Sequence, residues 1–486
     1  MRHARPLLAC VLLLVSSVKT SFAQDADANS LDLGDVLISS AENYPAILES
    51  FARREAAVGG VIEAQGAFDL VIASETVDRV SGFYSGQVLD TEVRQTLRPL
   101  GASFYSGYRL SEGNFPVYEN AYETAGGGEA RLGLVFSLLR DRSTDERRFS
   151  EVDAQLALQQ AELDVLLTKI GVQRQAAIAY WRWVSSGFQL RVYERLLSIA
   201  EDRQTGLEEQ VRRGALAAIF LTENKQNIIR RQRLVIEARR EYEAAANELG
   251  LFYRGADGAP LPPPDDSLPK VFPLSVDSEA KLLPPLVISE AIRNRPELEL
   301  LSMALDRIEA EAKLRRNQML PRLDLKAEVS KDFGVDEIVD PSLGETEAYV
   351  GLRFSLPLQR REGRGKLIAA EAKRNATLQK RKLASERIET EIKNILIELD
   401  TANELVAMAM SEVEQAETMR LAEEERFANG ASDFFLLNIR EEAAADARIG
   451  MLQAQARAHI ARANFDAATV NLPQLGLSSF STFNGN

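Results

Sequence analysis

The sequence predicts a mainly α-helical protein with a smaller set of β-strands, built as two internal repeats. Three observations lead to this fold class. The same motifs recur in the same order in both halves, very long helical segments are almost free of proline, and short segments alternate apolar and polar residues. A repeat of this size determines the architecture before any residue chemistry is considered.

The repeat is visible in three pairs of matching segments that keep their order along the chain. The pairs are Asn43-Tyr44-Pro45 with Asn294-Arg295-Pro296, Gly133 to Leu138 with Gly351 to Leu356, and Val211 to Gly214 with Phe427 to Gly430. Their separations are about 251, 218 and 216 residues, so the order is kept while insertions differ between the halves.

An apolar leader precedes the first repeat. Arg2 and Arg5 come before an apolar run from Leu7 to Val18, and a small-x-small site ends at Ala23. This pattern is typical of a Sec signal peptide covering residues 1–23. Cys10 lies within it, so the predicted mature chain has no cysteine. A secreted chain without a disulfide is held by packing, assembly or membrane insertion.

Charge and hydropathy narrow the function classes. Without the leader, 55 basic and 72 acidic residues give a net charge of −17. That balance argues against a nucleic-acid partner, which requires a basic surface. No later segment approaches 18 consecutive apolar residues, so the sequence predicts no transmembrane helix. If the chain crosses a membrane, it must therefore do so with β-strands.

Each predicted repeat begins with a broken helix. The breaks fall at the two Asn-x-Pro motifs, because Asn tolerates a helix end and Pro suits the first turn of the next helix. The predicted boundaries of the whole chain are a first repeat over 31–254, a proline-rich linker over 255–285, a second repeat over 286–472 and a flexible tail over 473–486. The tail is expected either to fray or to lie along the helices.

Strands follow the broken helix, within 68–138 and 322–357. Leu323, Leu325 and Ala327, for example, alternate with Asp324 and Lys326. Such alternation places a sheet between an apolar and a polar medium. Runs of about 9–11 residues suit a tilted strand in an outer membrane, but soluble antiparallel sheets alternate too.

The first half has an extra hairpin around residues 86–110, which the second half lacks. If the strands form a barrel, this hairpin either widens the barrel or folds above or below it.

Long helices complete each repeat, over 142–250 and 360–470. Residues 148–212 alone would span roughly 95–100 Å as a helix. No single globular core has that length, so these helices must pack side by side as coiled coils. Taken without the strands, they are equally typical of a soluble elongated bundle.

Together, these features resemble the outer membrane efflux protein (TolC) family over about residues 31–472. The resemblance is carried by the duplicated Asn-x-Pro motifs and strands, by the aromatic stretch from Ala179 to Val184, by Leu320 to Leu325, and by Arg426-Phe427-Ala428-Asn429-Gly430. The last segment is similar to the family's Arg-aromatic-x-x-Gly tip.

The resemblance implies a homotrimer in the outer membrane of a Gram-negative bacterium. Strands from three protomers would close one β-barrel in outer-membrane lipid, and the long helices would form an α-helical tunnel through the periplasm. Such a duct works with a periplasmic adaptor protein and an inner-membrane transporter in tripartite efflux or type I secretion. The alternative is a secreted or periplasmic structural coiled-coil protein without channel activity.

The resemblance also places adaptor docking at the tips of the long helical hairpins. The residues concerned are Arg212, Arg213 and Gly214 in the first half and Arg426, Phe427 and Gly430 in the second. A residue without Cβ permits a left-handed helix cap and the close approach of another backbone. The first copy lacks the leading Arg and the aromatic residue, so docking there would be weaker or use its two arginines.

A constriction is expected near the same tips. The family commonly places acidic residues shortly after the tip glycine, but Phe220 and Leu436 stand at the corresponding positions here. Asp433 is displaced toward the tip, and a ring of three such side chains would select cations. Alternatively, Phe220, Leu436 and Ile439 form an apolar gate or pack within the coiled coil.

The sequence offers little catalytic chemistry. One histidine, His459, and no cysteine remain in the predicted mature chain, so neither a Cys/His zinc site nor a Ser-His-Asp triad is expected. We predict no metal, no cofactor and no catalytic residue. His459 and the aromatic residues Tyr180, Trp181 and Trp183 are expected to be packed, and glutamate-rich stretches such as Glu423-Glu424-Glu425 and Glu441-Glu442 to be solvated helix faces.

Overall fold

The structure, a computed structural model, describes residues 30–116, 122–273, 285–334 and 345–477. The predicted signal peptide, residues 1–23, lies outside the described residues. Both halves run from two short helices through strands into a pair of long helices. The first half comprises α1 (Leu33–Asn43), α2 (Pro45–Gly66), β1 (Val71–Asp78), β2 (Gly86–Thr96), β3 (Ala102–Gly113), β4 (Glu129–Ser137), α3 (Glu146–Arg212) and α4 (Ile219–Gly250).

The second half repeats this order with two strands instead of four. It comprises α5 (Pro285–Arg293), α6 (Pro296–Gln318), β5 (Arg322–Asp332), β6 (Thr346–Ser355), α7 (Arg361–Ala428) and α8 (Phe434–Ala468). The predicted fold class, long paired helices with a smaller set of strands, is confirmed.

The helix breaks occur at the two Asn-x-Pro motifs, as predicted. Tyr44 and Arg295 each stand between two helices with an extended backbone, at φ/ψ of −73°/125° and −71°/120°. The following proline is the first residue of α2 and α6, where its missing N–H costs nothing. Arg295 is also buried and donates a 2.9 Å hydrogen bond to the Ala468 carbonyl, which joins this break to the end of α8.

The long helices pack as two hairpins. α3 has 67 residues and α7 has 68, so each is roughly 100 Å long. α3 packs along α4, α7 packs along α8, and α3 also contacts α8, which joins the two hairpins. Alanines let these helices approach closely, as where Ala458 and Ala461 pack, without exposed surface, against Leu399.

The main core lies around the middle of α3. Tyr180 and Trp183 are almost completely buried there. Trp181 stacks on His459 with ring centroids 3.5 Å apart. Burial lowers the pKa of His459 to about 4, and its Nε2 donates to the Pro273 carbonyl at 3.2 Å. The three aromatic residues and His459 are therefore packed, as predicted from the sequence.

The strands form one open six-stranded sheet in the order β1-β2-β3-β4-β5-β6, with antiparallel neighbours throughout. The extra hairpin, β2–β3, lies between β1 and β4. It therefore widens the sheet of the single chain by two strands. Its place relative to a membrane barrel stays a prediction. The β4–β5 pairing joins the two repeats.

The two faces of this sheet differ in polarity on β2 to β6, whereas β1 also carries Val71, Ala73 and Val77 on the polar side. We define the apolar face by its exposed large side chains, which are Ile72, Leu89, Phe104, Tyr108, Leu110, Leu132, Leu134, Val329, Val350, Leu352 and Phe354. The polar face carries the alternate residues, among them Asp90, Arg109, Arg131, Lys326 and Glu328. The alternation predicted from the sequence is confirmed.

The start of the predicted tail, residues 473–477, lies against the helices rather than fraying, which is the second of the two arrangements expected from the sequence. Leu475 and Leu477 are 2% and 1% exposed and pack with Ala41, Ile170 and Ala467. Apolar side chains within a polar, glycine-containing segment explain this packing, because they reach a nearby core. Residues 478–486 lie outside the described residues. Among the described helices, none is long and apolar enough to cross a membrane.

Candidate functional site

The candidate site lies at the ends of the two long hairpins. We call residues 213–218, between α3 and α4, the first tip, and residues 429–433, between α7 and α8, the second tip. In the second tip Gly430 has φ +73°, the left-handed conformation that favours glycine. The Gly430 N–H donates to the Phe427 carbonyl at 3.0 Å and the Ala431 N–H to the Arg426 carbonyl at 2.8 Å. This pair of bonds is a Schellman motif, which satisfies the last carbonyls of α7.

The first tip has the same backbone geometry. Gly214 has φ +71°, its N–H donates to the Val211 carbonyl at 2.9 Å, and the Ala215 N–H donates to the Gln210 carbonyl at 2.9 Å. The left-handed cap predicted at both glycines is therefore confirmed. No other part of the described structure lies within 4 Å of where a Cβ would stand on either glycine. Each tip thus presents open backbone to its surroundings.

The two tips share their backbone geometry but carry different side chains. In the second tip Arg426 donates to Glu423 at 3.3 Å and to the Ala431 carbonyl at 3.2 Å, so it braces the loop rather than the last helical carbonyls. Phe427 packs on the buried ring of Phe434, with centroids 6.3 Å apart. These contacts hold the second tip as one rigid unit.

The first tip lacks this brace. Arg212 and Arg213 are exposed, and both pair with Glu209 on the last turns of α3. Their guanidinium groups remain accessible to a partner at the end of the hairpin. Whether either tip docks an adaptor is not a property of one chain, so the docking residues stay a prediction.

The candidate constriction residues have clear local roles. Asp433 is the N-cap of α8, and its carboxylate accepts the Leu436 N–H at 2.7 Å. It is nevertheless exposed, whereas Leu436 and Phe220 are half-buried. The Phe220 ring meets Phe434 edge-on, with centroids 6.3 Å apart. Phe220 therefore packs between the hairpins, and a ring of Asp433 side chains stays a prediction about an assembly.

A buried ionic cluster near the tips was not predicted. The Arg231 side chain is 0% exposed and that of Glu441 is 2% exposed, and their charged groups meet at 2.9 Å. Arg203 also pairs with Glu441 and donates to Asn438 at 3.2 Å. Arg231 further donates to the Leu196 carbonyl at 2.8 Å. The cluster, formed by Arg203, Arg231, Asn438 and Glu441, connects α3, α4 and α8.

Two glutamates therefore contradict the expectation that glutamate-rich stretches are solvated faces. Glu441 is buried in the ionic cluster, and Glu423 is 3% exposed, where it accepts from Arg426 and Ser432. Burial is possible because each carboxylate is paired, which offsets its loss of hydration. A signal existed in α4, since Asn224 and Arg231 precede the buried Ala238 by two and one heptads and so occupy core positions.

The polar face of the sheet forms a second candidate surface. Asp90 on β2 pairs with Arg109 on β3 at 2.9 Å and with Arg131 on β4 at 2.6 Å. On β5, Lys326 pairs with Glu328 at 3.0 Å. The described residues include no group of acidic, histidine or cysteine side chains placed to hold a metal ion. The arrangement suits a hydrated wall along which a solute passes.

Comparison with known proteins agrees with this architecture. The family model described as outer membrane efflux protein matches residues 287–475. No curated protein sequence is similar enough to count as a match.

Solved structures of outer-membrane channels have the same fold along nearly the whole chain. VceC of Vibrio cholerae is 16% identical with a TM-score of 0.63, covering 90% of this chain and 95% of its own. MtrE of Neisseria gonorrhoeae is 15% identical with a TM-score of 0.63, covering 90% and 88%. CmeC of Campylobacter jejuni is 13% identical with a TM-score of 0.62, covering 92% and 90%. At these identities the likeness establishes the fold, and the family model matches a segment within the second half of the chain.

Proposed function

We propose that three copies of this chain form an outer-membrane channel that serves as the exit duct of a tripartite efflux or type I secretion system. Its cargo would arrive from an inner-membrane transporter through a periplasmic adaptor. The family model over residues 287–475 and the fold shared with outer-membrane channels support a channel component of the outer membrane rather than an enzyme. The observation that carries the finer proposal is the two-faced sheet at one end of hairpins roughly 100 Å long.

The sheet supports membrane insertion through its exposed apolar face. Leu132, Leu352 and Phe354 on this face are 51%, 67% and 64% exposed in the single chain. Apolar surface of this extent is costly in water and favourable in lipid, at roughly 25 cal/mol per Å². The opposite face is lined by paired charges, which suits a water-filled interior.

The need for several copies follows from the number of strands. A spanning sheet must close, because unpaired N–H and C=O groups cannot be satisfied in hydrocarbon. Single-chain bacterial barrels have about eight strands or more, whereas the described residues contribute six in an open sheet. Assembly of identical copies provides closure.

The tips support docking of a periplasmic partner. They lie at the ends of the hairpins remote from the sheet, and both glycines have open space where a side chain would stand. A helix from an adaptor can therefore approach the backbone of either tip. The second tip offers a braced surface at Arg426 and Phe427, and the first offers the exposed guanidinium groups of Arg212 and Arg213.

The structural coiled-coil alternative makes a different prediction about the apolar face. A protein that never enters a bilayer gains nothing from exposing Leu352 and Phe354 to water. Phe354→Arg separates the two functions. If this face meets lipid, the change costs roughly 2–4 kcal/mol near the bilayer midplane and lowers the yield of membrane-inserted protein.

The measurement is the fraction of protein recovered in outer membranes after sucrose-gradient fractionation. Tyr349→Arg is the matched control, because Tyr349 lies on the polar face of the same strand. The proposal expects loss of insertion for Phe354→Arg and near-normal insertion for Tyr349→Arg. Equal yields for both variants would remove the assignment of this face to lipid.

Transport itself is tested in cells. Deleting the gene should sensitise the bacterium to toxic compounds or stop secretion of a protein, and the adaptor should co-purify with the tagged channel. Normal resistance and secretion in the deletion strain, together with no captured adaptor, would contradict the exit-duct role.

A further inference from the structure

We propose that each protomer contributes all six strands to the membrane barrel, and that β6 of one copy pairs with β1 of the next. Three copies of the six-stranded sheet then give an eighteen-stranded barrel. This inference rests on the proposed function, because it assumes the trimer. It adds the identity of the seam and the role of the extra hairpin.

The two edge strands of the described sheet are unpaired on their outer sides and lack a proline or a bulge that would prevent pairing. Among the described residues, β1 and β6 each pair with a single neighbour, every residue of β1 is exposed, and β6 is exposed except at the half-buried Gly351. Neither edge strand contains proline, and their registers are continuous without a bulge. Proteins that keep edges unpaired usually blunt them with such features. These edges are suited to pairing.

A second copy fits these edges in direction. Neighbouring strands alternate in direction across six strands, so β1 and β6 run opposite ways. When β6 lies beside β1 of the next copy, the new pair is antiparallel like every other pair in the sheet. An odd number of strands would have given a parallel seam.

The two faces continue across the seam only in part. Val350 and Leu352 on β6 share the apolar face with Ile72 on β1, while Tyr349 and Arg353 share the polar face with Glu75. The other residues of β1 do not follow this pattern, because Ser74 and Thr76 lie on the apolar face and Val71, Ala73 and Val77 on the polar face. The Ser74 hydroxyl is satisfied by Thr91 of β2 at 2.9 Å. The seam is therefore supported by strand direction and open edges more than by the polarity of β1.

The extra hairpin is an integral part of the wall. β2 pairs with β1 over eight residues and with β3 over eleven, and β3 pairs with β4 over eight. The charges of Asp90, Arg109 and Arg131 connect three successive strands, β2, β3 and β4. A wall that excluded the hairpin would break these ladders and separate these ion pairs.

Strand number sets the width of the opening. With a strand spacing of about 4.8 Å and a tilt of about 40°, eighteen strands give a backbone diameter of roughly 36 Å. If the hairpin stayed outside the wall, twelve strands would give roughly 24 Å by the same geometry. The proposed barrel is therefore about half as wide again as one that excludes the hairpin.

Cysteine cross-linking in the native outer membrane tests the seam. The single cysteine of the sequence, Cys10, lies in the predicted leader. Any disulfide in the mature protein therefore comes from the introduced cysteines. Ser74→Cys is combined in turn with Ala348→Cys, Val350→Cys and Leu352→Cys. Within one copy, β1 and β6 lie five strand spacings apart, roughly 24 Å along the sheet, and a disulfide requires Cα atoms within about 7 Å.

We expect one of these three pairs to give a reductant-sensitive band at three times the monomer mass. Ser74→Cys with Tyr349→Cys is the matched control, because the two residues lie on opposite faces. This control should remain monomeric under the same oxidation.

A second pair tests whether the hairpin lies in the wall. Ser106 on β3 and Leu132 on β4 stand directly opposite each other. In assembled protein, Ser106→Cys with Leu132→Cys should form a disulfide within one chain. Electron cryo-microscopy of the detergent-solubilised trimer then counts eighteen strands.

The outcomes separate this inference from the proposed function. Stable trimers in which no β1–β6 pair cross-links would overturn the seam, and stable trimers lacking the Ser106–Leu132 link or showing twelve strands would overturn the role of the hairpin. In both cases the channel proposal stands. Protein that never forms trimers and never enters the membrane would overturn the inference and the proposed function together.

Discussion

Neutralising Glu441 should destabilise the helical hairpins strongly, because this carboxylate compensates a buried guanidinium group. Its side chain is 2% exposed and pairs with Arg231, which is 0% exposed, and with Arg203. Burial lowers the pKa of Arg231, because the charged guanidinium group is less stable away from water than in it. Glu441→Gln keeps the size of the side chain but leaves that cation without its partner.

The expected cost is about 3–5 kcal/mol, the range for breaking a buried ion pair by removing one partner. A change of 1 kcal/mol moves the melting temperature by roughly 2–4 °C in chains of 150–250 residues and by less in longer ones. We therefore expect a decrease of roughly 5 °C or more, measured by circular dichroism at 222 nm on the purified assembly.

Glu442→Gln is the matched control. Glu442 is the neighbouring residue, pairs with Arg230 and keeps 32% of its side chain exposed. Exposed pairs contribute about 0–1 kcal/mol, so this variant should melt close to the parent. Removing both charges of the buried pair with Arg231→Met and Glu441→Leu should recover part of the loss, because the cation left without its carboxylate, Arg203, keeps 14% of its side chain exposed whereas Arg231 is fully buried. Equal melting temperatures for the two glutamine variants would refute this reasoning.

Three further predictions concern the second tip and the core. Gly430→Trp should abolish export while trimers form normally, since its Cβ points into open space and the indole blocks an approaching partner; unchanged drug resistance or secretion would exclude docking at this tip. Asp433→Asn should leave the helix stable, because Asn is an equally good N-cap, but should reduce cation selectivity in planar bilayers; an unchanged reversal potential would remove the acidic ring. Stability should fall as the pH is lowered from about 6.5 toward 4 through His459, because the folded state holds its pKa at about 4 and the unfolded state binds the proton first. His459→Gln should flatten this part of the pH profile of the melting temperature, and an unaltered slope would count against it.

Local signals in the sequence were sufficient to predict much of the fold. Prolines at 45 and 296 marked the helix breaks, and glycines at 214 and 430 marked the reversals, because each residue type has a backbone preference that acts on its own. Alternation in β4 to β6 likewise assigned the faces of those strands. The side chains at the second tip were predicted as a set, although the brace from Arg426 to the Ala431 carbonyl was not.

The sequence was less informative where the structure depends on long-range pairing. The place of the β2–β3 hairpin in the sheet depends on partners in β1 and β4, which no local pattern specifies. Glu441 was expected in water because a glutamate in a charged stretch is usually solvated. Its burial depends on arginines about 210 and 238 residues away.

The most direct test of the account is the mass of the purified native assembly, measured together with its conductance in planar lipid bilayers. We expect native mass spectrometry of outer-membrane extracts to give three chains, and the same fraction to produce discrete, stable current steps. A water-soluble monomer or dimer that never conducts would contradict the proposal that this protein forms a channel.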